Sequence, residues 1–92
     1  MYKEKSKYYE VLERFKNESR CYLTGRLINL FTDVWEIDHI IPKMSNGSNE
    51  PENLGLCTHE ANKAKAHMSV DEFVNLCKDV LINFGYTVTK NA

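Results

Sequence analysis

Two short apolar segments, Val34 to Ile41 and Leu54 to Cys57, are separated by Lys43 to Asn53, a stretch built from Lys, Met, Ser, Asn, Gly, Glu and Pro. Nothing in that stretch can build a core, and Asn46-Gly47 within it is the strongest local turn signal in the chain. The segment before it alternates at first, with Trp35 and Ile37 on one face and Glu36 and Asp38 on the other, as a half-buried strand does. Pro42 ends that strand, because proline has no N–H to give a neighbour. Leu54, Leu56 and Cys57 make a second short strand, and Thr58 followed by Glu60 opens a helix that runs through Ala66. Strand, loop, strand and helix are the order that the remaining residues must fit, and the loop, roughly ten residues long, needs a side chain to pin it.

Before this unit, residues 7 to 18 place Tyr8, Tyr9, Val11, Leu12 and Phe15 at spacings of three and four, the stripe of an amphipathic helix that Ser6 can cap. Cys21 to Gly25 reads as a tight turn, and Leu27 to Phe31 is an apolar segment whose conformation periodicity does not settle. After the unit, Ser69 and Glu72 have the spacing of a capping box. Val70, Phe73, Val74, Leu76, Cys77, Val80, Leu81 and Phe84 then supply the stripe of a helix over about 70–84, which Gly85 terminates. That stripe is expected to be core, Cys77 included, and Tyr8, Tyr9 and Trp35 are read the same way. Tyr86 to Thr89 reads as a small strand.

Ninety-two residues, 42% apolar and 27% charged, are expected to form a single domain over 1–92 with a thin core. No run approaches the roughly 20 apolar residues that span a bilayer. Three widely spaced cysteines, Cys21, Cys57 and Cys77, do not suggest a disulfide scaffold, so reduced thiols and a cytoplasmic location are expected. The net charge of −1 argues against holding nucleic acid by bulk electrostatics alone. Its distribution is uneven: residues 1–26 carry seven Lys or Arg and four Glu, residues 27–56 carry Lys43 against five acids, and residues 57–92 balance. An acidic centre beside a basic arm suits a cation site next to a polyanion, and solvated faces give the same pattern.

The chemistry concentrates at Asp38-His39, at the end of the first strand and directly before Ile40-Ile41-Pro42. A carboxylate and an imidazole beside core residues need partners. One account pairs Asp38 locally and leaves His39 half-exposed at the surface. In the other, the carboxylate holds a hard cation and the imidazole takes a proton from water near neutral pH. Asn62 favours the second account, since its amide oxygen is another hard ligand on the helix that follows the loop. Lys65 lies three residues on, on the same helix face, where an ammonium could meet the same phosphate. Adjacent strand residues point to opposite faces, so Asp38 and His39 can share a site only if the strand bends there, and Asn53 offers a donor and an acceptor to hold such a bend.

In order and spacing, Trp35-Glu36-Ile37-Asp38-His39-Ile40-Ile41-Pro42-Lys43, Gly47-Ser48-Asn49-Glu50, Asn53-Leu54 and Asn62-Lys63-Ala64-Lys65 resemble the motif of the HNH nuclease family. The likeness has Asn62 at the final position where the family name has His, a variant similar to the nuclease domain of RNA-guided CRISPR effectors. It implies an α+β fold: a ββα-metal (His-Me finger) core, a two-stranded hairpin and short helix over about 21–67, flanked by the N-terminal and the longer C-terminal helix. It also implies an endonuclease that hydrolyses DNA phosphodiester bonds with one divalent ion, Mg²⁺ or Mn²⁺. His39 would be the general base, Asp38 and Asn62 the metal ligands, Asn53 the asparagine that ties the loop and Lys65 a cation for the phosphate. DNA is the implied partner, with no membrane, and the chain would act as a homodimer or as part of a larger nuclease.

The family often carries two CxxC pairs around a structural zinc, and here Thr24 and Glu60 stand where the second cysteines would be. Two thiolates, a threonine and a carboxylate make a poor tetrahedral site, so structural zinc is not expected and Cys21 and Cys57 are read as small apolar residues packed together. His59 is read as a surface histidine one turn before Asn62, His67 as a favourable cation at a helix end and Lys63 as solvated. The rival to an enzyme is a nucleic-acid or protein binding module that kept the shape and lost turnover. A helical interaction module built on the first and last helices is a third reading.

Overall fold

The computed structural model describes residues 10–13 and 19–91. Its centre is an antiparallel hairpin of β1 (Trp35–His39) and β2 (Leu54–Thr58), in register from Trp35 opposite Thr58 to His39 opposite Leu54. Helix α1 (His59–Lys65) follows directly, started by Thr58, whose hydroxyl accepts the Ala61 N–H at 3.2 Å. The longer α2 (Val70–Asn83) opens on the full capping box: the Ser69 hydroxyl accepts the Glu72 N–H, and the Glu72 carboxylate accepts the Ser69 N–H. Hydrogen bonding from Ser69, its backbone N–H first and then its side chain, holds the Glu72 carboxyl below its ordinary pKa. Gly85, at φ +92°, follows the end of α2, where left-handed backbone suits glycine. The α+β hairpin-and-helix arrangement implied by the sequence is therefore the one observed.

The loop between the strands is not featureless. Lys43–Ser45 and Pro51–Asn53 each form one turn of 3-10 helix. In the Asn46-Gly47 turn it is Asn46 that takes the left-handed conformation, at φ 66°. Gly47 is required for space instead: a Cβ there would lie 1.7 Å from the Ile41 carbonyl oxygen. Before the hairpin, Cys21 to Gly25 is the expected tight turn, with Gly25 N–H donating to Cys21 O and Cys21 N–H to Arg26 O, both at 2.8 Å. Tyr22 N–H donates to Leu56 O at 2.8 Å and so lashes this turn to β2.

The core lies between that turn, the hairpin and α1. Cys21, Ile28, Leu56, Cys57 and Ala61 form one buried cluster, with Leu12, Tyr22, Leu30, Trp35 and Ile37 packed against it. Both thiols expected to pack as apolar residues are in this cluster. Burial pushes Cys57 up to about 12, which leaves it an inert thiol. At the position where a CxxC pair would be completed, Glu60 instead makes an exposed ion pair with Arg26 at 2.8 Å.

Three expectations need correction or bounding. Of the helix expected over about 7–18, residues 10–13 are helical with Val11 buried, while Ser6, Tyr8, Tyr9 and Phe15 lie outside the described residues. Helix α2 forms where expected but buries none of its residues, and Val74, Leu76, Cys77, Val80 and Leu81 are all exposed. Its stripe marks amphipathic periodicity, which is a property of the sequence, and burial needs an opposing surface that the described residues do not supply. Tyr86 to Thr89 forms no strand, because no described edge pairs with it. No helix among the described residues is long and apolar enough to cross a membrane.

Candidate active site

The strand stays regular to its end, and the bend expected at Asp38 and His39 falls one step later, at Ile40 and Ile41. Asn53 holds it there: its Oδ1 accepts Ile41 N–H at 2.8 Å, and its Nδ2 donates to Ile41 O at 3.1 Å and to Ser48 O at 2.8 Å. Its own carbonyl accepts Ile40 N–H at 2.9 Å. One buried side chain thereby ties the strand exit to the returning loop, and every polar atom of that amide has a partner. Because His39 is the last residue of β1, it and Asp38 can both open onto a cleft beyond the strand end despite their alternation. That cleft, of about 400 Å³, is lined by Asp38 and His39 from the strand, Lys43 and Met44 from the loop, and Asn62 and His67 from α1 and its exit. Ala66, also at its wall, has φ +50°, a strained conformation for a side chain bearing a Cβ.

Asp38 is buried and both of its neighbours are polar. Tyr22 donates its hydroxyl to Asp38 Oδ2, and Lys65 Nζ lies 3.0 Å from the same oxygen. Lys65 is 0% exposed and donates its remaining reach to the His39 carbonyl at 3.2 Å. The expectation that Lys65 would meet a phosphate is therefore corrected: its ammonium points inward and neutralises a buried carboxylate that would otherwise be destabilising. Tyr22 can reach Asp38 because Gly55 stands opposite Asp38 in the register; a Cβ at Gly55 would come within 2.6 Å of the Tyr22 ring. Burial, and then the Asp38 carboxylate, push the Tyr22 hydroxyl above its ordinary pKa, so it remains a donor. Both contacts fall on Oδ2, so neither occupies Oδ1, the Asp38 oxygen that could serve a cation.

His39 Nε2 is 2.7 Å from Asn49 Oδ1. An amide oxygen only accepts, so Nε2 carries the proton and Nδ1 keeps its lone pair in the neutral ring. Asn62 Nδ2 donates to Glu36 Oε1 at 2.5 Å, and His59 Nδ1 lies 2.6 Å from Glu36 Oε2. These two contacts, Asn62 first, hold the Glu36 carboxyl below its ordinary pKa. His59 is thus not simply a surface histidine, although half of its side chain is exposed.

Asp38, His39 and Asn62 are brought to one cleft, Asn53 underpins it, and Lys65 supports it from below. Tyr22, Asn49 and the pairing of Glu36 with His59 were not singled out by sequence reasoning. A signal existed for the first, since a glycine inside a strand segment marks a close approach. Asn49 stands in the Gly47-Ser48-Asn49-Glu50 stretch of the motif, but nothing in the sequence assigns it to His39.

A hairpin and short helix that gather an imidazole, a carboxylate and an amide at one strand end define the ββα-metal class of architecture. Residues 21–70, more than half of the chain, match the profile described as HNH endonuclease, and the chain belongs to that family. A crystal structure of a type II restriction endonuclease is similar, with a TM-score of 0.60 and 24% identity over 91% of this chain, which shows a shared fold. The match spans only 41% of that protein, so this chain corresponds to less than half of its length. No curated protein matches the chain.

Proposed function

We propose that this chain is the catalytic unit of a metal-dependent endonuclease that hydrolyses DNA phosphodiester bonds. The observation that carries this is the opening of Asp38, His39 and Asn62 onto a single cleft. The donors fit a hard divalent ion such as Mg²⁺ or Mn²⁺, since the two candidate ligands, Asp38 and Asn62, each offer oxygen. Asp38 would hold the ion through Oδ1 and Asn62 through its amide oxygen. Bound there, the ion would offset charge on a phosphate oxygen and on the departing 3′-oxygen.

The remaining work falls to the side chains. His39 would take the proton of the attacking water at Nδ1, while Asn49 keeps Nε2–H engaged and the ring oriented. As the water oxygen bonds to phosphorus and the P–O3′ bond breaks, the 3′-oxygen would leave and take a proton from solvent water, so the ends would be 5′-phosphate and 3′-hydroxyl. Lys65 and Tyr22 act as positioning residues by fixing Asp38. Lys43 and His67, at the cleft wall, stand where a phosphate backbone would approach. A single cleft cuts one strand, so a double-strand break would need a homodimer, two successive nicks or a larger assembly.

A supercoiled-plasmid nicking assay with Mg²⁺ or Mn²⁺, with and without chelator, tests this. Metal-dependent nicking that His39→Ala abolishes is the expected result. DNA retention without nicking at any metal concentration would favour the rival binding module.

A further inference from the structure

An asparagine serves as a ligand to a hard cation only through its amide oxygen, and the amide's shape does not decide which end faces a cleft. Oxygen and NH₂ are nearly the same size, and half a turn about the last torsion exchanges them. An unrestrained Asn62 would therefore present the wrong end part of the time, and each visit would weaken the site by removing a ligand and putting a donor in its place.

The surroundings of Asn62 remove that freedom. Its Nδ2 is 2.5 Å from Glu36 Oε1. A carboxylate only accepts, so the reversed amide would set two oxygens against each other. Asn62 lines the cleft and Glu36 does not. With the NH₂ end on the Glu36 side, the oxygen is the end left for the cleft. Glu36 is itself held: its second oxygen lies 2.6 Å from Nδ1 of His59. His59 and Asn62 are three residues apart in α1, so one carboxylate on β1 spans two neighbouring positions on one face of that helix.

We propose that Glu36, backed by His59, is a positioning residue that locks the Asn62 amide with its oxygen toward the cleft and thereby sets the affinity of the site for a divalent ion. This rests on the reading of Asn62 as a metal ligand. Residues that orient a ligand in this way are worth about 10–100-fold in metal affinity.

The test is Mn²⁺ binding to the full 92-residue chain without DNA, followed by loss of the free-ion electron paramagnetic resonance signal. The wild type is compared with Glu36→Gln, Asn62→Ala and the double variant, with circular dichroism on each. Glutamine keeps the size of a side chain that is 35% exposed, so the fold is expected to survive, and Glu36→Ala serves as a second variant read in the same way. Glu36→Gln should weaken Mn²⁺ binding about 10–100-fold, Asn62→Ala at least as much, and the double variant no more than Asn62→Ala alone. His59→Ala should weaken it less than Glu36→Gln, because Glu36 still faces Asn62. Unchanged affinity in Glu36→Gln beside a loss in Asn62→Ala would overturn the positioning role and leave the catalytic reading standing. Losses that add in the double variant would also overturn it, since Glu36 would then act on the ion without Asn62. Unchanged binding in Asn62→Ala, or none in the wild type, would remove the ligand reading beneath the proposal.

Discussion

In the hairpin and α1, apolar side chains and the buried polar groups Asp38, Asn53 and Lys65 share one interior, and none of the buried side-chain nitrogen or oxygen atoms there lacks a partner. In α2, twice as long as α1, no residue is buried at all. The first region holds its shape through contacts between residues far apart in sequence: Tyr22 with Asp38, Glu36 with Asn62, Asp38 with Lys65. The second holds its shape through neighbours, a capping box at its start and a glycine past its end. The proposed site thus lies where removal of one partner leaves a buried group unsatisfied, and not on the helix that stands by local preference.

Substitutions should separate the two regions sharply. The largest effect is expected at His39: His39→Ala should lower nicking by about 10²- to 10⁴-fold with little change in Tm, and near-wild-type rates would remove the general-base role. Asn53→Ala comes next, at about 3 kcal/mol, because it strands backbone groups at the bend and in the loop. Thermal denaturation should then show a fall in Tm on the order of 15 °C, and an unchanged Tm would mean that the bend is held by something else.

The third effect is a pH dependence of the core region. Cys57 is raised from 9.0 to about 12 on folding. The stability linked to it is therefore fully present below pH 9, where both states are protonated, and is lost as pH rises toward the folded value, when only the unfolded thiol ionises. Urea unfolding should record a loss of about 2 kcal/mol by about pH 10.5, and Cys57→Ala should start lower but lose less over the same range. The smallest effect is on α2. Ser69→Ala should cost about 1 kcal/mol, visible as faster amide exchange at the start of α2 with β1 and β2 unaffected. Exchange that quickened equally in the hairpin would show that the two regions unfold as one and would erase the distinction.

What the sequence made legible follows the same division. Elements defined by neighbours were readable: α2 from Ser69, Glu72 and Gly85, α1 from Thr58, and both strands to within a residue or two. That Asp38, His39 and Asn62 would meet at one place, with Asn53 at the bend beside them, was readable because they form an ordered motif. Contacts across 16 to 26 residues were not, since no spacing rule links Tyr22 to Asp38 or Lys65 to the His39 carbonyl. Lys65 shows the limit most plainly. A lysine on a helix is solvated by default, and only the buried carboxylate on β1 turns it inward. The exposure of the α2 stripe is the converse, for periodicity gives a helix an apolar side without saying what, if anything, meets it.

The enclosure of Lys65 also makes the molecule its own reporter. An amine-reactive reagent, or an enzyme that acylates lysines, can touch that nitrogen only in a chain whose α1 has come away from the hairpin. Lys63, two positions earlier and open to solvent, would be labelled at once. The ratio of the two labels would therefore count how often the floor of the cleft comes apart.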